Sequence, residues 1–234
     1  MKPIRALVAG TALIALGATS CIKDDNGGTV GPTLPDNAFF NFATYNGSKE
    51  GQSSFTVQRE GDAGSATITF GMAFNDQQLK PGTRTFISYT TATGQQYVSG
   101  PGTLYSCANV DGGDPVEATA ANSVRLSAPI KLQTATRTGD YLNVTFEVPM
   151  NRRLLSIALT EAPNLKDPAY PVVGLYLVSD VEEGAWHQAR VSFDIDDVLD
   201  EEGVKGVRFA YRGDTGLDTL TFNKTNSGTI TPIN

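Results

Sequence analysis

Histidine, cysteine and tryptophan are nearly missing from this chain of 234 residues, which holds one His, two Cys and one Trp. A zinc site built from His and Cys needs three or four such ligands, so no metal centre of that kind is expected. A Ser-His-Asp relay needs a histidine set against a nucleophile, and no GxSxG elbow stands ready for the single candidate, His187. Basic residues are also scarce, with 18 Lys+Arg against 25 Asp+Glu and a net charge of −7. An acidic surface repels phosphate backbones, so no nucleic-acid partner is expected. The longest apolar run, Ala6 to Leu16, is too short for a membrane helix, which needs about 20 residues. Helical periodicity is absent except for one turn near Asp197 to Glu202, which leaves an all-β chain.

What is present begins with the N-terminus. Lys2 and Arg5 precede the apolar run, and Ala18-Thr19-Ser20 closes it directly before Cys21. A charged segment, a short apolar segment and a small-residue junction make residues 1–20 a secretory signal. Cys21 at that junction resembles the lipobox of bacterial lipoproteins, which implies an acylated thiol that becomes the new N-terminus. One acyl chain holds a protein only marginally and stable anchoring needs two signals; the three chains of such lipoproteins make attachment permanent. Loss of Lys2 and Arg5 with the leader takes the charge from −7 to −9 and leaves 214 residues, enough for one large β domain or two small ones. Cys107 is then the one thiol left to the folded part, so no intramolecular disulfide is expected even in an oxidising compartment. Ile22 after the lipidated cysteine points to the outer membrane, and Lys23-Asp24-Asp25 is similar to an acidic surface-export signal. Surface display is favoured over the periplasmic face. Residues 22–36, rich in Gly and Pro, read as a tether of about 20 Å.

From Asn37 the pattern is β throughout. Residues 38–44, Phe55 to Gln58, Thr67 to Phe74, Ile87 to Tyr89 and Leu104 to Val110 read as strands. The turn signals between them are Asn46-Gly47, Gly61-Asp62, Lys80-Pro81-Gly82 and Gly100-Pro101-Gly102. Five short strands suit a small barrel of the oligonucleotide/oligosaccharide-binding (OB) type over residues 37–118. Asp111-Gly112-Gly113-Asp114-Pro115 interrupts the pattern, and the boundary is placed near 118. Seven further strands over 119–234 give an immunoglobulin-like β-sandwich. The first is expected as one long strand from Val124 to Thr136, with a bulge or edge position at Pro129.

This layout resembles the NigD-like lipoproteins, which pair an N-terminal OB-type domain with a C-terminal β-sandwich behind a lipobox and an acidic tether. The most specific stretch is Gly139-Asp140-Tyr141-Leu142-Asn143-Val144-Thr145-Phe146, similar to the "GDYLNI.F" segment that opens the family's second domain. Gly203-Val204-Lys205-Gly206 before a strand also fits. In the first domain, the aromatic strand near Phe42 and Lys80-Pro81-Gly82-Thr83-Arg84, where the family has a "GxRV" type segment, match more loosely. The tether departs from the family in lacking a long Asp run. The family's name comes from a bacteriocin-associated operon, so the resemblance implies architecture and an immunity role rather than a mechanism.

The candidate sites follow. Cys21 is the lipid attachment point. Trp186, Tyr176 and Tyr170 are the residues expected to offer stacking surface to a protein or glycan partner. His187 shares the phase of Ala189 and Val191 and is expected on the core side of its strand. The acidic cluster Asp194, Asp196, Asp197, Asp200, Glu201 and Glu202 lacks EF-hand spacing and reads as a solvated loop. Cys107 reads as a small buried thiol on the face opposite Leu104. Asp218-Thr219-Leu220 matches a short O-glycosylation acceptor pattern. No catalytic residue, cofactor or metal is expected. The function these observations favour is a monomeric, non-catalytic, lipid-anchored envelope protein that binds a protein or glycan. The alternatives are a fimbria-like subunit joined by strand exchange through the tail Asn223 to Asn234, and an uncharacterised envelope enzyme.

Overall fold

The computed structural model describes residues 34–224, apart from positions 62, 76, 78, 152, 163, 165 and 182. Cys21, the tether before Leu34 and the tail beyond Lys224 lie outside the described residues.

Five strands form a closed barrel: β1 (Phe39–Lys49), β2 (Gln52–Gln58), β3 (Ser65–Phe70), β4 (Arg84–Thr91) and β5 (Gly100–Asn109). Their order is β1-β2-β3-β5-β4, with β4 pairing back onto β1. All pairs are antiparallel except β3 with β5, the closure of an OB-type barrel. Strict alternation drives it. Ser53, Phe55 and Val57 point inward from β2 while Ser54, Thr56 and Gln58 point out. Ala43, Tyr45, Phe55, Ile68, Phe70, Ile87 and Tyr89 fill the interior. Tyr45 and Phe70 flank Phe55 with ring centroids 5.1 and 5.5 Å away. Each such side chain contributes about 1.5–3 kcal/mol by leaving water.

Three local readings change. Asn46-Gly47 is a bulge inside β1 rather than a turn, because the register slips between Tyr45 and Gly47. The turn lies at Glu50-Gly51, both with positive φ, as a two-residue hairpin with right-handed twist demands. Gly100-Pro101-Gly102 opens β5 rather than preceding it. At Gly102 a Cβ would lie 2.4 Å from the Thr90 carbonyl oxygen, so only glycine lets β5 close the barrel. A second bulge, at Tyr105 on β5 across from Ser88 and Tyr89, places Leu104 opposite Tyr89 and Cys107 opposite Ile87. Both therefore pack on the barrel core, and Cys107 is not opposite Leu104 as simple alternation implies.

The sandwich has two sheets. One contains β14 (Leu217–Asn223), β13 (Gly206–Arg212), β11 (Val172–Ser179), β10 (Leu154–Ala162) and β7 (Val116–Glu117), in that order. The other contains β6 (Asp111–Gly113), β12 (Trp186–Asp194), β9 (Tyr141–Pro149) and β8 (Lys131–Thr138). Leu142, Val144, Phe146, Leu175, Leu177, Val191, Phe193, Phe209 and Phe222 form the core between them. The seven expected strands are β8 to β14, packed as a two-sheet sandwich in which β11 and β13 pair in parallel. The connecting segment adds two more: β6 pairs with β12 and β7 with β10. Residues 111–117 thus belong to the sandwich, and the crossing falls near Val110, ahead of the boundary expected at 118. Gly112 permits this pairing, since a Cβ there would lie 1.7 Å from the Ser192 carbonyl oxygen. The long strand expected from Val124 is instead a 3-10 turn, Val124–Leu126, followed by an extended link containing Pro129 that leads into β8. An α-helical turn, α1 (Asp196–Leu199), follows β12 and buries Val198 and Leu199.

Candidate functional site: the cleft between barrel and sandwich

The outward phases of two sheets meet. From the barrel come Phe40, Phe42 and Thr44 of β1 and Arg84 and Phe86 of β4. From the sandwich come Thr134, Thr136 and Thr138 of β8, Asn143 and Thr145 of β9, and Arg190 and Ser192 of β12. Register aligns them in rows: Phe42 faces Phe86 and Thr44 faces Arg84 on the barrel. On the sandwich, Thr136, Asn143 and Ser192 form one row and Thr134, Thr145 and Arg190 the next.

Arg84 fastens one end. Its Nε donates to Ser192 Oγ at 2.9 Å, Nη1 to Thr44 Oγ1 at 2.9 Å and Nη2 to Asn143 Oδ1 at 2.8 Å. Ser192 Oγ donates in turn to Asn143 Oδ1 at 2.7 Å, and Asn143 Nδ2 donates to Thr138 Oγ1 at 2.8 Å. The guanidinium lies 4.0 Å from the centroid of the Tyr141 ring. Arg84 is buried, and burial lowers its pKa to about 10 against the opposing pull of Tyr141 and Asp194. Burial likewise raises the Tyr141 phenol and the Asp194 carboxyl, each helped by nearby acidic groups. A short backbone splice adds to the joint: Gly61 bridges Thr138, with Gly61 N–H donating to the Arg137 carbonyl at 2.8 Å and Gly139 N–H to the Gly61 carbonyl at 2.8 Å.

Beside this joint the sheets part into a cleft of about 420 Å³. That size is within the range of about 300–1,000 Å³ usual for ligand sites. Ring faces line it at Phe40, Phe42, Phe86 and Tyr97; hydroxyls at Thr134, Thr136, Thr138 and Thr145; amides at Asn41, Gln58, Gln96 and Asn143; and charges at Glu60 and Arg190. The Arg190 guanidinium stacks on Phe86 at 4.2 Å and donates to Gln188 Oε1. Burial lowers its pKa. Tyr97 has φ of 60°, an uncommon conformation for a ring-bearing residue, and is held there from two sides. Asn41 Nδ2 donates to its hydroxyl at 3.1 Å, and Arg59 Nη2 to its carbonyl at 3.3 Å. Asn41 Oδ1 also receives Tyr89 Oη at 3.1 Å and Gln96 Nε2 at 2.8 Å, closing the end of the barrel.

The structure separates the three aromatic residues proposed from sequence. Trp186 lies on β12, on the same outward phase as Arg190, with Lys131 Nζ 4.0 Å from its ring centroid. Tyr176 lies on β11, on the outer face of the other sheet, and Tyr170 lies in the loop before β11 with its hydroxyl donating to Asn223 Oδ1 at 2.9 Å. They do not form one patch. His187 is half-buried on the phase of Ala189 and lies outside the cleft lining. Among the acidic residues, Asp194 caps the Asp196 N–H at 3.2 Å and Asp200 meets Lys224 at 3.3 Å. No group of three metal-ligating side chains occurs among the described residues. Thr219 is exposed on β14, an edge strand. Sequence reasoning missed the cleft. The available signal was a set of aromatics on the outward phase of barrel strands, paired with a Thr-x-Thr-x-Thr row in β8.

No family model matches the sequence, and no curated protein does either. Solved structures do match in fold. A protein of unknown function from Bacteroides vulgatus is 19% identical with a TM-score of 0.62, over 80% of this chain and 90% of that one. A NigD-like immunity protein from Bacteroides caccae is 16% identical with a TM-score of 0.56, over 81% and 96%. A putative lipoprotein from Bacteroides fragilis is 11% identical with a TM-score of 0.52, over 79% and 96%. The chain therefore shares the barrel-plus-sandwich fold of a NigD-like protein, as the resemblance implied. None of these three is described as an enzyme.

Proposed function

We propose that the protein is a non-catalytic lipoprotein of the cell envelope, held by acylated Cys21, that presents the barrel and sandwich as one body to a protein or glycan partner. The observation that carries this reading is the cleft, whose lining of ring faces, hydroxyls and amides suits recognition. The lone histidine lies outside it, and among the described residues Glu60 and Arg190 are its only charged lining residues. The signal, the junction at Cys21 and the lipoprotein and immunity descriptions of two fold neighbours support an envelope role. Ile22 and Asp24-Asp25 favour the outer membrane and its outer surface, and a protective role fits there.

Labelled palmitate should enter the wild-type protein and not the Cys21→Ser variant. A wild-type protein that takes up no label ends the anchored reading. Protease added to intact cells should degrade the protein; resistance would put it on the periplasmic face.

A further inference from the structure

We infer that the cleft binds an extended neutral oligosaccharide, with one sugar ring against Phe40 and the chain running along the four-stranded sheet towards Trp186. This rests on the partner-binding reading above and names the partner's chemistry.

Phe40 is 52% exposed, on the outward phase of β1, where the barrel core has no use for it. A flat apolar ring at the rim of a polar cleft matches the C–H face of a pyranose. Inside the cleft, two polar atoms are orphaned. Gln58 Oε1 is an acceptor and Arg190 Nε a donor, and neither has a hydrogen-bond partner among the described residues. Gln58 and Arg190 both line the cleft, so the two atoms lie in its wall. A hydroxyl both donates and accepts, so it can satisfy either atom. Unpaired buried polar atoms call for such an explanation. The strained backbone at Tyr97, fixed from two sides at the margin, is the kind of outlier that collects at ligand clamps.

Charge and backbone narrow the class. Among the described residues the lining carries one acid and one base, which selects neither a polyanion nor a polycation. A peptide added as a strand needs an open edge; β1, β4, β9 and β12 are each paired on both sides, and β8, the edge strand of its sheet, is bridged at Thr138 by Gly61. Length comes from the sheet. Trp186 lies four residues before Arg190 on the same phase of β12, roughly 13 Å away at strand spacing. Gln188, Gln133 and Glu147 line the interval in a hydrogen-bonded chain, with Gln188 Nε2 donating to Gln133 Oε1 at 2.5 Å and Gln133 Nε2 to Glu147 Oε1 at 3.0 Å.

The test uses the full chain in detergent on an array of neutral, uronate and sulfated oligosaccharides of graded length. Neutral members should bind, and both Phe40→Ala and Gln58→Met should weaken binding about tenfold or more while the protein stays folded. Trp186 is the sole tryptophan, so its emission should shift with the longer homologues and not with the shortest. A blank array, a preference for the anionic members, or binding indifferent to Phe40→Ala would overturn the assignment. So would an envelope protein whose capture is lost with Phe40→Ala, although that result would leave the proposed function standing. Absence of palmitate labelling would strike the anchor and leave a positive array result intact.

Discussion

At the Arg84 end of the barrel–sandwich interface, three donors of a buried guanidinium meet Thr44, Asn143 and Ser192. At the Phe40 end, a ring stands in water and two polar atoms in the wall go unpaired. Both ends are built from the same strands, β1 and β4 on one side and β9 and β12 on the other. The first end takes a cation out of water and compensates it with neutral acceptors from both units. The second end keeps Gln58 Oε1 and Arg190 Nε unpaired beside the exposed Phe40 ring. Securing one end this tightly lets the other stay open without the units sliding together, because a buried charge tolerates little displacement from its acceptors.

The largest expected effect comes from breaking the secured end. Arg84→Ala leaves Asn143 and Ser192 buried without their donor and should cost about 3 kcal/mol in urea unfolding. Arg84→Lys should recover only part, since an ammonium cannot reproduce the fork. A loss under about 1 kcal/mol for the alanine variant would mean the units are held elsewhere. Next is Gly112→Ala, which pushes β6 off β12 behind Ser192 and should cost about 2 kcal/mol. At the open end the sign reverses. Gln58→Met removes an orphan acceptor and should raise the stability of ligand-free protein by about 1 kcal/mol. A fall instead would show that the amide is paired.

The smallest effect is remote from both ends and calibrates them. Burial raises the Cys107 thiol to about 11, against a weaker opposing hydrogen bond from Thr85. In Cys21→Ser protein, iodoacetamide labelling should climb with a midpoint near that value. A thiol whose folded pKa is raised stabilises the fold below its ordinary value of 9.0, and this is lost as pH rises through about 11. Arg84 acts in the opposite sense. Its pKa is lowered to about 10 from the ordinary guanidinium value, so the unfolded chain binds the proton more tightly and the burial cost eases as pH rises above about 10. Cys107→Ala should therefore flatten the alkaline decline, and Arg84→Ala should steepen it.

Much of this was legible in the sequence. Period-2 alternation located the barrel strands and β8 to β14, because each sheet buries one face only. Two of the stretches that carry the family resemblance, Lys80 to Arg84 and Gly139 to Phe146, supply Arg84, Tyr141 and Asn143, which meet at the joint. Their meeting was not legible, since Arg84 and Asn143 are 59 residues apart and no local pattern encodes the contact. β6 and β7 were hidden because three and two residues of Asp, Gly, Val and Glu carry no periodicity. The bulge on β5 misled the phase of Cys107, as a single extra residue inverts every later side chain. The cleft was hidden because outward aromatics look like ordinary surface until a second sheet is set against them.

The short run Asp111 to Glu117 also limits how the molecule can be divided. A sandwich fragment cut at 119 would lose a strand from each sheet and bare the edges of β12 and β10, inviting pairing between copies. A barrel fragment ended at 118 would trail that same unpartnered ribbon and expose Arg84 to solvent. The chain is best handled whole, and insolubility of either piece would reflect where the cut was made rather than instability of the native protein.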